Sequence, residues 1–165
     1  MILASRPATT TLEDLYRTMN AEIWNLLHDG SILEISGSIP GNVHLAVRID
    51  YLRDRFPDPG HRIVLTLHGC TSFSYQPLES SASFADSAVP LTDLSAIAAA
   101  KPEIRHAKDW THAHLVECGD GDLEAIAEGF SLALDNGRPI SFEDLCAVAE
   151  SYWTEFAKGS ERSNP

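Results

Sequence analysis

Basic residues are scarce in this chain. Twelve Lys and Arg stand against 24 Asp and Glu, a formal net charge of −12 over 165 residues. Affinity for nucleic-acid phosphates and for anionic membranes comes from clustered Lys and Arg, so neither is expected as a partner. Cysteine is also sparse. Cys70, Cys118 and Cys146 are far apart and form no Cys-x-x-Cys pair, which excludes a zinc ribbon and a thioredoxin-like site. Three cysteines with no evident pairing suit a reducing compartment. No segment approaches the roughly 20 consecutive apolar residues that span a bilayer. The start, MILASRPATTT, lacks the basic, then apolar pattern of a signal peptide. A cytoplasmic location is expected. The phosphate-cradling, dinucleotide-binding and nucleophile-elbow glycine motifs are missing as well, and no catalytic set is written in the chain.

With 44% hydrophobic and 22% charged residues, the chain has the composition of one globular domain that can bury a core. Residues 1–10 read as a flexible lead-in, 11–158 as the domain and 159–165 as a disordered tail. The segment TLEDLYRTM has a stripe of Leu12, Leu15, Tyr16 and Met19 at helical spacing, capped by Thr11. Next, IWNLLH and SILEISG flank Asp29-Gly30, a short-turn pair, so residues 23–37 read as a β-hairpin. VHLAVRID alternates Val43, Leu45, Val47 and Ile49 against His44, Arg48 and Asp50, the pattern of a half-buried antiparallel strand. RIVLTLHGC follows as a strand, and SFSYQP continues it past Gly69 through a bulge or bend. Residues 79–90 read as an exposed loop, and 91–103 suit either helix or strand. THAHLVECG and DGDLEAIAEGFSLALD form a second hairpin.

The final element is a helix with a capping box, Ser141 with Asp144, and apolar residues from Phe142 to Phe156 at helical spacing. Gly159 is its expected stop, and Trp153 is expected in its buried stripe. The predicted fold is α+β: a β-rich antiparallel single domain of six to eight strands, with a short N-terminal helix and a C-terminal helix on the sheet.

Candidate chemistry centres on THAH. On a strand His112 and His114 share a face, and two imidazoles there suit a divalent transition metal. His44 or His68 is then the possible third ligand. The spacing resembles the His-x-His of the cupins, which implies a metal-dependent enzyme or small-molecule binder. Two departures from that family stand out. Glu117 follows too closely and points to the opposite face, and no histidine lies after it. The competing expectation is two partly exposed histidines on a solvated or partner-facing strand. His68 and Cys70 also share a face on a regular strand, which would place a base beside a thiol nucleophile.

The succession LHDGSILEISG, HLAVRIDYL, IVLTLHGC, GDLEAIAEG and ISFEDLCAVAESYW resembles a set of small uncharacterised bacterial proteins. They share an N-terminal His-Asp-Gly hairpin and a C-terminal Tyr-Trp helix, and some are immunity-protein-like. The resemblance implies a non-catalytic binding role, and no cofactor is expected. An acidic chain of this kind suits a basic protein partner, met through surface residues such as Arg48, Asp50 and Tyr51. Its strand edges would allow a homodimer.

Overall fold

The computed structural model describes residues 20–78, 89–108 and 113–161. The expected helix at 11–19, the lead-in, most of the 79–90 loop and His112 lie outside the described residues. The fold is α+β, with two antiparallel sheets and helices packed on them. Helix α1 covers 20–26. It is followed by β1 (Ser31–Gly37), β2 (Gly41–Arg48), α2 (Asp50–Arg53), β3 (Arg62–Cys70) and β4 (Ser72–Pro77). The chain continues through α3 (Leu94–Ala99), β5 (Ile104–Lys108), β6 (His114–Cys118), β7 (Gly121–Ile126), β8 (Gly129–Leu134), β9 (Pro139–Ile140) and α4 (Phe142–Glu161). The described residues thus hold nine strands, the last only two residues long.

The first sheet has the order β1-β2-β3-β8-β9 and the second β4-β7-β6-β5. In the first, Ile32, Val47, Ile63 and Leu134 are cross-strand neighbours in one row, and Leu45, Leu65, Leu132 and Ile140 in another. All eight are buried. A single hydrophobic cluster joins this face to Trp24 of α1, Leu52 of α2, Ile97 of α3, Tyr75 and Leu123 of the second sheet, and Leu145 of α4.

The bend expected at Gly69 is where the chain changes sheets. β3 pairs with β8 in the first sheet, and their continuations β4 and β7 pair in the second. Gly69 has φ 58°, and the Glu128 carboxylate would come within 2.7 Å of a Cβ placed there. The crossing is tied by Thr71 N–H to the Ile126 carbonyl (2.9 Å) and Glu128 N–H to the His68 carbonyl (2.8 Å). Both strands of the ribbon therefore turn together. The flip in alternation also separates His68 from Cys70. Cys70 is fully buried, whereas His68 stands on the outer face and meets Ser131. The proposed thiol–base pair is not assembled.

Two other expectations change. Residues 23–28 do not form the first arm of a hairpin. Ala21, Ile23, Trp24 and Leu27 are buried at helical spacing, because a short apolar run reads equally as strand or buried helix and tertiary packing decides. Asp29-Gly30 then closes that helix. Asp29 takes φ 65°, and Gly30 N–H bonds the Leu27 carbonyl (2.9 Å), an end of the left-handed type. Asp50 and Tyr51 belong to α2, not to a strand. In the ambiguous 91–103 segment, Asp93 caps α3 by accepting from Ala96 N–H (2.8 Å).

The capping box of α4 is present as expected. Asp144 N–H donates to Ser141 Oγ (3.0 Å) and Ser141 N–H to Asp144 Oδ2 (3.1 Å). The helix passes through Gly159 to Glu161. Leu145 and Ala149 are buried beneath it, but Trp153 is 47% exposed and Phe156 58%. Trp153→Ala is therefore expected to cost about 1 kcal/mol or less, the worth of its ring contacts. A urea midpoint lowered by no more than about 1 M checks this.

Candidate binding surface

On β6 the alternation puts His114, Val116 and Cys118 inward and Glu117 outward. His114 is 2% exposed, not part of a solvated strand. Its Nδ1 accepts a hydrogen bond from Trp24 Nε1 (2.9 Å), and the two rings meet edge to face at 6.0 Å. Burial pushes its pKa down to about 4, with the Asn20 backbone opposing the shift. The imidazole is thus neutral at ordinary pH, with Nδ1 as acceptor and the proton on Nε2.

The two candidate third ligands lie elsewhere. His44 Nδ1 meets Thr66 Oγ1 (2.9 Å) and His68 Nε2 meets Ser131 Oγ (2.7 Å), both on the outer side of the first sheet. Among the described residues no three His, Cys, Asp or Glu side chains gather as a metal site. Cys70 donates to the Ser72 carbonyl (3.2 Å), and burial raises its thiol pKa.

The outer face of the second sheet carries a different chemistry. The register aligns Lys108, Leu115, Glu124 and Ser74 in one cross-strand row, and His106, Glu117, Asp122 and Gln76 in the next. All of these except His106, together with Pro90, line an open groove of about 380 Å³. Lys108 Nζ pairs with Glu117 Oε1 (2.7 Å). Neither Asp122 nor Glu124 has an ion-pair partner among the described residues. Three carboxylates thus stand against one ammonium. The negative field reaches inward too. Tyr75, behind this sheet, has its pKa raised to about 12, first by burial and then by Cys118, Asp120 and Asp122.

Sequence reasoning passed over this row, although its signal was present. GDLEAI alternates Asp122 and Glu124 with Leu123 and Ala125, which is the mark of a strand with one solvated face. Of the surface residues it did name, Arg48 and Asp50 pair with each other (3.2 Å). Tyr51 packs against Tyr152 and donates to the His28 carbonyl (2.8 Å).

Comparison of the chain with protein-family models, with curated proteins and with solved structures gave no match. No helix among the described residues is long and apolar enough to cross a membrane.

Proposed function

We propose that this chain is a non-catalytic, cytoplasmic binding protein, immunity-like in kind, that recognises a basic protein partner. The observation that carries this reading is the outer face of the second sheet, where Glu117, Asp122 and Glu124 line an open groove against the single ammonium of Lys108. A net charge of −12 adds a long-range field of the same sign. Such a field acts mainly on the encounter rate, drawing a cationic surface in and repelling anionic ones. The groove's rigid sheet floor keeps the carboxylates in a fixed row, which favours a defined docked orientation.

The test uses an arginine-rich peptide as probe against the immobilised full chain, with its glutamate-rich counterpart as control. Association is expected to slow as salt rises, because exposed charges are screened beyond about 10 Å at 0.1 M ionic strength. An Asp122→Asn, Glu124→Gln variant is expected to associate more slowly at low salt and to lose most of the salt dependence. Equal binding of both peptides, or a rate indifferent to salt, would overturn the reading.

A further inference from the structure

The second half of α4 extends its apolar stripe past the body it packs on. Tyr152 packs against Tyr51 with ring centres 4.5 Å apart, and Trp153 and Phe156 lie 5.0 and 6.2 Å from the Tyr152 ring. The two outer rings, Trp153 and Phe156, contact each other at 5.8 Å and are about half exposed. This is a contiguous aromatic platform braced from below. Tyrosine, tryptophan and arginine are the residue types that dominate binding energy at protein interfaces.

The platform already holds one cation. The Arg55 guanidinium sits 5.4 Å over the Tyr152 ring, and Glu155 Oε2 pairs with it at 2.7 Å. A guanidinium placed on an aromatic face is attracted by the ring quadrupole. Trp153 and Phe156 offer further faces of the same kind, and no cation over either is seen among the described residues. The helix around them carries five acidic residues and one basic one, and its carbonyl end favours positive charge.

We infer that Trp153 and Phe156, braced by Tyr51 and Tyr152, anchor a basic protein partner by receiving its arginine or lysine side chains together with adjoining apolar ones. The inference rests on the reading of the chain as a binder of a basic protein and names where the binding energy is concentrated. Charge on the second sheet governs how fast the partner arrives, and the aromatic platform governs how long it stays. A second copy of this chain fits poorly, since it would bring one acidic helix against another. An anionic membrane is repelled for the same reason.

An amphipathic leucine–arginine peptide, compared with the same peptide carrying neutral citrulline, tests this on the full chain by surface-bound kinetics. The arginine form is expected to bind at least about tenfold more tightly than the citrulline form. A Trp153→Ala, Phe156→Ala variant is expected to bind it about tenfold more weakly through faster dissociation. Thermal melts of that variant, and of Phe156→Ser alone, verify that both remain folded. If the aromatic variant binds as the wild type does while Asp122→Asn, Glu124→Gln loses binding, the anchor is overturned and the basic-partner reading stands. If neither peptide binds the wild type, that reading fails and takes the anchor with it. Equal binding of the arginine and citrulline forms overturns the cation-receiving role. A dimer by sedimentation that the aromatic variant abolishes overturns the inference in favour of a second copy.

Discussion

Asp135→Ala is expected to cost about 3–5 kcal/mol, because it leaves a buried guanidinium without its counter-charge. Arg53 is fully buried. Its Nε and Nη2 both donate to Asp135 Oδ1, at 3.0 and 2.7 Å. Its other bonds go to the carbonyls of Asp58, Pro59 and Arg62. On the other side of the carboxylate, Oδ2 accepts the backbone N–H groups of His61 (2.8 Å) and Arg62 (3.2 Å). One aspartate thus ties the segment after α2 to the turn after β8. Removing it orphans a charge and two backbone donors at once, and a loop rich in proline and glycine cannot close over them.

Urea unfolding of the wild type, Asp135→Ala and a paired Arg53→Met, Asp135→Leu variant measures the effect. The pair is expected to recover part of the loss, since it removes the charge as well as its partner. If Asp135→Ala alone leaves the midpoint unmoved, Arg53 is solvated in solution. Acid gives a second reading of the clamp. Burial alone would raise the Asp135 pKa, yet the His61 N–H, the Arg53 guanidinium and the Arg62 N–H together hold it at about 2. Its stabilisation is complete above the ordinary value of 3.8 and is lost as pH falls through about 2.

Two buried pairs show what a sequence can and cannot reveal. Arg53 and Asp135 are 82 positions apart, and Trp24 and His114 are 90 apart. Nothing local to either member advertises the other. What was legible was local and periodic. The alternation of β2, the Ser141–Asp144 capping box and the bend at Gly69 each follow from neighbouring residues, and each stands in the fold. Asp29-Gly30 reads as a hairpin turn yet closes a helix, because whether such a pair ends a helix or joins two strands depends on what Trp24 packs against. That contact is with β6, much later in the chain. The candidate site fared likewise. His-x-His spacing shows that two rings can share a face, but the inward or outward sense of that face is set by the sheet's other strands. The acidic row on the outer face needed the register of β4 and β5 to bring Gln76 and Lys108 beside it.

Stability is expected to fall by about 3 kcal/mol as pH drops from about 6.5 to about 4, through His114 alone. The folded chain holds this imidazole neutral down to about 4, whereas an unfolded chain protonates it near 6.5. Between those values the unfolded state binds more protons, so stability rises with pH across the window and is fully present above it. Below about 4 both states are protonated and this dependence ends. Geometry explains why the folded state refuses the proton. Nδ1 already accepts from Trp24 Nε1, so a protonated Nδ1 would face that N–H donor to donor, in a site 2% exposed. A charge there gains no water to replace the lost bond. His114→Gln preserves an acceptor for Trp24 and cannot titrate. Its urea-derived stability is expected to lie below the wild type at pH 7 and to lack the wild-type slope between 6.5 and 4. An equally steep slope in the variant would assign the acid sensitivity to other groups and show that His114 protonates without disturbing the core. The window lies well above that of the Asp135 clamp, so a single pH series of the wild type and the two variants separates the histidine's contribution from the aspartate's.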